Sequence, residues 1–177
     1  MREAVIVSAA RTAIGRAKKG SLRDTRPEYF ASKMIEGLVE RTPGLEKEMV
    51  GDIIMGCAMP EGEQGMNVAR NIVLLAGLPD SVPGITVNRF CSSGSQAIMM
   101  AAQQILQEGA DIAIGSGVET ITMMQDGTQN TTRLANAAAA ERFPGLYFPM
   151  GLTAEIVAER YDVSREDQDA YGLQSQQ

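Results

Sequence analysis

Cys91 stands where a thiol can become a nucleophile. It follows the short β-branched run Ile85, Thr86 and Val87 and precedes Ser92, Ser93 and Gly94, after which an apolar segment runs to Gly109. From Ser92 to Gln107 there is no charged residue; Ala97, Ala101 and Ile105 repeat at helical spacing, as do Ile98, Ala102 and Leu106. Only Gln96, Gln103 and Gln107 make a polar stripe, so the spacing predicts a helix apolar around most of its circumference and buried inside a domain. Cys91 then sits where a strand hands over to that helix. The first N–H groups of a helix have no partner within it, and the macrodipole places partial positive charge there. Both favour thiolate over thiol. The same groups can hydrogen-bond the oxyanion formed when a carbonyl is attacked. The residues alone leave two readings open: an activated nucleophile, or an inert buried cysteine.

Acyl chemistry at a cysteine usually needs a base, and the sequence has no histidine. Either the helix terminus activates the thiol alone, or the base lies on polypeptide outside this sequence. The second cysteine, Cys57, lies in the strand-like run Asp52 to Ala58 and is expected to be a small core residue. Two cysteines at positions 57 and 91 make neither a disulfide framework nor a metal motif.

The flanking elements alternate. Ala4 to Val7 is expected to form the first strand, followed by the small-residue loop Ser8 to Gly15, in which Arg11 is read as tying down backbone carbonyls. Pro27 opens a helix carrying Phe30, Met34, Ile35, Leu38 and Val39, which Pro43 and Gly44 end. Val50 to Ala58 is the next strand, and Met66 to Ala76 a helix closed by Gly77 and Pro79. The nucleophile unit follows, with a strand from Asp111 to Ile114. This alternation indicates an α/β layered domain with a mixed sheet. Gly115, Gly117 and Glu119 only begin like a dinucleotide fingerprint, since the third glycine is absent. From Glu119 to Pro149 periodicity fades, and a segment this long without clear structure is usually functional. Ser164 and Asp167 resemble a capping box opening a last helix that reaches Gln177 without a stop signal.

Asn88, Cys91, Ser92, Ser93, Gly94 and Ala97 together resemble the nucleophile motif of the thiolases. Further matches run in order along all 177 residues. Ala10 to Gly15 is similar to the family's Ala-Arg-Thr-Pro-Ile-Gly, with Ala13 replacing proline. Gly65, Asn67, Ala69 and Arg70 match Gly-x-Asn-x-Ala-Arg. Gly117 and Glu119 match Gly-Gly-x-Glu, Met150 to Glu155 matches Met-Gly-x-Thr-Ala-Glu, and Ser164 to Asp169 matches Ser-Arg-x-x-Gln-Asp.

The resemblance implies a thiolase-like layered fold with a buried nucleophile helix, limited to the first of two similar core domains (1–118) and the start of a loop domain (119–177). It implies acyl transfer: cleavage of 3-oxoacyl-CoA to acetyl-CoA and a shortened acyl-CoA, or the reverse condensation. Cys91 would carry the acyl group as a thioester, with its backbone N–H in the oxyanion hole, and Met150 would contact substrate. Pro149, where acetoacetyl-specific members often carry histidine, resembles the branch acting on longer chains. Coenzyme A and acyl-CoA would be substrates, with no permanently bound cofactor or metal, and the assembly a homodimer or homotetramer. The family's Gly-His-Pro, Asn-Glu-x-x and Cys-x-Gly motifs are absent, so this sequence is expected to be a truncated enzyme, inactive alone. A β-ketoacyl synthase-type condensing enzyme and a non-catalytic thiolase-like lipid carrier are the alternatives.

Composition restricts the partners. The hydrophobic share is 44%, the charged share 21% and the net charge −6, an ordinary globular balance whose one basic cluster, Arg16, Lys18 and Lys19, is read as a solvated loop and is too little positive charge for nucleic acid. No run approaches the ~20 apolar residues a membrane span needs. The N-terminus lacks a signal-peptide pattern, and a cytoplasmic setting is expected.

Overall fold

A computed structural model of the chain describes residues 2–177. The chain divides into two compact units, residues 1–129 and 130–177. In the first, three strands, β1 (Asp52–Gly56), β2 (Gly84–Val87) and β3 (Ala113–Gly117), form a sheet in the order β2-β1-β3. Both pairings are parallel, with Ile54 opposite Ile85 on one side and Gly115 on the other. The mixed sheet expected from the sequence is therefore parallel throughout among the described residues.

Successive side chains of a strand point to opposite faces, and parallel sheets are usually covered on both. β1 follows this rule. Ile53 and Met55 join the larger core, with Ala31 and Ile35 of α1 (Pro27–Glu40) and Val68, Ile72 and Val73 of α2 (Val68–Leu75). Ile54 faces the other way, against Ala97 and Ala101 of α3 (Ser93–Gln103). Ile53, Ile54 and Met55 are all fully buried. Helix α1 begins at Pro27, as expected. Asn67 docks α2 on β2: its Nδ2 donates to the Gly84 carbonyl at 2.8 Å and its Oδ1 accepts from Thr86 Oγ1 at 2.8 Å.

Two expectations about burial fail. Ala4 to Val7 forms no strand, and Val5, Ile6 and Val7 are 68%, 81% and 78% exposed. A strand needs a partner edge, and this segment pairs with none. It borders an apolar slot of about 440 Å³ whose other walls are α1, α3 and β3, whose outer edge has no partner among the described residues. Helix α3 buries one face rather than its whole circumference: Ser93, Ala97 and Ala101 are covered, whereas Ile98 and Met99 are about half exposed. A π turn (Gln104–Glu108) ends the helix at Gly109, whose φ of +85° suits glycine. A short helix, α4 (Ile121–Met124), completes this unit and buries Met124.

The second unit consists of α5 (Ala137–Arg142), α6 (Met150–Tyr161) and α7 (Arg165–Gln176). Half of the capping box forms: Ser164 Oγ accepts from the Asp167 N–H at 3.1 Å, while Asp167 Oδ2 accepts from the Ser164 hydroxyl at 2.8 Å rather than from its backbone N–H. Asp162, at φ 53°, turns the chain between α6 and α7. No described helix is long and apolar enough to cross a membrane.

Candidate active site

The C-terminal ends of parallel strands leave a crevice where ligands commonly bind. Cys91 lies just beyond the end of β2 and one residue before Ser92, the residue that caps α3. It is exposed. The intervening turn is tight: Phe90 has φ +46°, in the left-handed region that a bulky residue rarely adopts. Side chains hold it there. Asn88 Oδ1 accepts from the Phe90 N–H at 2.8 Å. Ser93 Oγ accepts from the Arg89 N–H at 2.8 Å and donates to the Phe90 carbonyl at 2.6 Å. The Ser92 and Ser93 N–H groups donate to the Arg89 and Phe90 carbonyls at 3.1 and 3.0 Å.

The start of α3 lies directly on β1. A Cβ added to Gly56 would collide with the Ser93 carbonyl group, and one added to Gly115 would meet Ile98 Cα at 2.7 Å. Only glycine permits that approach, so two strand glycines set the depth at which the nucleophile turn is held.

Cys57, just past the end of β1, is the opposite kind of cysteine. It is buried, and burial, with the nearby Glu119 carboxylate second, pushes its thiol up to about 11. That is the small core residue expected from the strand pattern. Beside it, Glu119 Oε2 accepts from the Ala58 N–H at 2.7 Å and Oε1 from Gln64 Nε2 at 2.6 Å. Glu119 is visible in the sequence only as a motif position, and Gln64 only as part of a Gly-rich turn. Arg11 does bond a backbone carbonyl, that of Thr12, at 3.1 Å. Met150 is the first residue of α6, in the second unit, and is 69% exposed. The segment after Gly117 forms the four-residue α4, so no dinucleotide-type helix follows that glycine pair.

Residues 4–177 match the family model described as thiolase, N-terminal domain. The chain belongs to the thiolase family. It is 50% identical to the 3-ketoacyl-CoA thiolase of Bacillus subtilis (strain 168) over 177 residues, 100% of this chain and 44% of that protein. Its identity to the 3-ketoacyl-CoA thiolase of Aliivibrio salmonicida (strain LFI1238) is 41%, over 100% of this chain and 45% of the other. Among solved structures, the Bacillus anthracis acetyl-CoA acetyltransferase is similar with a TM-score of 0.80 and 33% identity, over 98% of this chain and 45% of that one. The chain thus spans a little under half the length of these thiolases, and the layered α/β architecture is that of the family's N-terminal half.

Proposed function

We propose that the chain supplies the nucleophile half of an acyl-CoA acyltransferase acting on 3-oxoacyl-CoA. The observation that carries this is Cys91: an exposed thiol at the mouth of a parallel sheet, on a turn pinned by Asn88 and Ser93 against the start of α3. In the thiolytic direction the Cys91 sulfur attacks the 3-oxo carbonyl. The bond between C2 and C3 breaks, leaving the shortened acyl group on the sulfur and releasing acetyl-CoA once its C2 carbanion takes a proton. Coenzyme A thiol then attacks the acyl-Cys91 thioester, giving acyl-CoA and the free thiol. The Ser92 and Ser93 N–H groups are spent inside the turn, so the oxyanion role falls to the Cys91 N–H. With no histidine in the sequence, the proton-transfer groups are assigned to polypeptide outside it.

Met150 is proposed as a substrate contact; a flexible thioether on an exposed helix start suits an apolar arm. Residues 1–118 are read as the first core domain and 119–177 as the start of a loop domain. Coenzyme A and acyl-CoA are substrates, no cofactor being permanently bound, in a cytoplasmic enzyme. A homodimer or homotetramer is proposed. It is supported by the edge of β2 that has no partner among the described residues, where Ile85 is 41% exposed, and by the exposed side chains of Met66 and Phe90.

Incubation with acetyl-CoA and peptide mass mapping tests the reading. The expected product is an acetyl thioester on Cys91, Cys57 remaining free, and none on a Cys91→Ala chain. Absence of the adduct in a protein extended to the length of the relatives would overturn it.

A further inference from the structure

Gln64 is a fully buried polar side chain whose hydrogen bonds all lead to the ends of two strands. Its Nε2 donates to the Met59 carbonyl at 2.8 Å and to Glu119 Oε1 at 2.6 Å, and its Oε1 accepts from the Thr120 N–H at 2.6 Å. Burying an amide and a carboxylate together is costly unless both are satisfied. Here both are. The second carboxylate oxygen takes the Ala58 N–H at 2.7 Å, and the Ala58 carbonyl in turn accepts from Asn88 Nδ2 at 3.1 Å. Asn88 Oδ1 then accepts from the Phe90 N–H, adjacent to Cys91. A continuous hydrogen-bonded strut therefore runs from the end of β3, through the end of β1, to the end of β2 and the cysteine turn.

We infer that Glu119, oriented by Gln64, is a positioning residue that sets the Cys91 turn through Ala58 and Asn88. Glu119 lies beyond the last residue of β3, and its two carboxylate oxygens are used only within this strut. The strut has a fixed polarity. Ala58 N–H and Gln64 Nε2 both need an acceptor, and a carboxylate offers two. Glutamine in place of Glu119 satisfies one and opposes the other with its own NH₂. Exchanging the two residue types between positions 119 and 64 restores a donor–acceptor pair: the new amide donates to the new carboxylate, which still accepts from the Thr120 N–H. The Met59 carbonyl alone then loses its donor. The inference rests on the proposed role of Cys91 as nucleophile.

The test is iodoacetamide alkylation of the whole chain, with Cys91 and Cys57 quantified separately by peptide mass mapping and thermal unfolding followed in parallel. Glu119→Gln is expected to slow Cys91 alkylation about tenfold, the effect of roughly 1.4 kcal/mol. Cys57 should stay protected. The exchanged pair Glu119→Gln with Gln64→Glu should regain part of the rate, and Asn88→Ala, at the exposed end of the strut, should lose it again. Loss of the thermal unfolding transition in Glu119→Gln would mean that this variant has unfolded, and Asn88→Ala would then decide by the same criterion. A fast wild-type rate unchanged by Glu119→Gln and Asn88→Ala would overturn the positioning role and leave the nucleophile standing. A wild-type Cys91 no faster than glutathione would overturn both.

Discussion

Cys57 and Cys91 share a side chain and differ in everything around it. Cys57 is 1% exposed, and burial followed by the Glu119 charge raises its thiol from an ordinary 9.0 to about 11. The folded state therefore holds the proton more tightly than the unfolded chain. Below pH 9 the associated stability is fully present, and it is lost as pH rises through about 11. A rise of that size corresponds to on the order of 2–3 kcal/mol. Wild type should therefore lose that much more stability than Cys57→Ala between about pH 8 and pH 11, measured by urea unfolding at each pH. Parallel losses in the two proteins would show that the thiol does not titrate with the fold. The corner that holds Cys91 was legible from its neighbours alone, because a β-branched run followed by small residues and an apolar helix fixes a strand-to-helix turn. Gln64 and Glu119 were not legible as a pair. They lie 55 residues apart, and no periodicity links a Gly-rich turn to the end of a distant strand.

At the scale of elements, the depth of α3 against the sheet is set by Gly56 and Gly115. Gly56→Ala drives a Cβ into the Ser93 backbone, which cannot yield as a side chain could. The expected cost is roughly 1–3 kcal/mol of unfolding free energy, as for other overpacked interiors. Acetylation of Cys91 should fall with it, because Ser93 holds the cysteine turn. Gly94→Ala is the informative contrast. A Cβ there meets nothing within 4 Å, and alanine is the better helix former by up to about 1 kcal/mol. Stability should hold or rise, while acetylation slows because the added methyl narrows the approach to the sulfur. Equal stability losses in both variants would show that the two glycines do not differ in this way. Helices announced themselves locally: Pro27 starts α1 and Ser164 caps α7, each through groups within a few residues. The segment Ala4 to Val7 carries strand-forming residues but no local feature that supplies an edge to pair with. Strand formation is decided at long range, which the sequence pattern does not report.

For the molecule as a whole, the first unit presents an unfinished surface. The sheet ends at β3, and beyond it the slot of about 440 Å³ is lined by Val5, Ile6, Met34, Leu38, Ile98 and Ile105, among other apolar side chains. Soluble monomers seldom expose contiguous apolar area of this kind without a use for it. The thiolases it matches are more than twice as long, so the same surface in them lies within a larger molecule. In this chain the backbone groups along the outer edge of β3 and along residues 4–10 have no ladder partner among the described residues, whereas β1 is paired on both sides. Amide exchange follows that difference, because an unpaired amide needs no opening event before it exchanges. Residues 4–10 should therefore exchange at least about a hundredfold faster than Ile53 to Met55. In a protein extended to the length of its relatives the same amides should become protected, with β1 unchanged. If residues 4–10 are already as protected as β1 in the 177-residue chain, the open edge is closed in solution, either by residues 4–10 of the same chain or by a second copy, which a concentration series of the same measurement would separate.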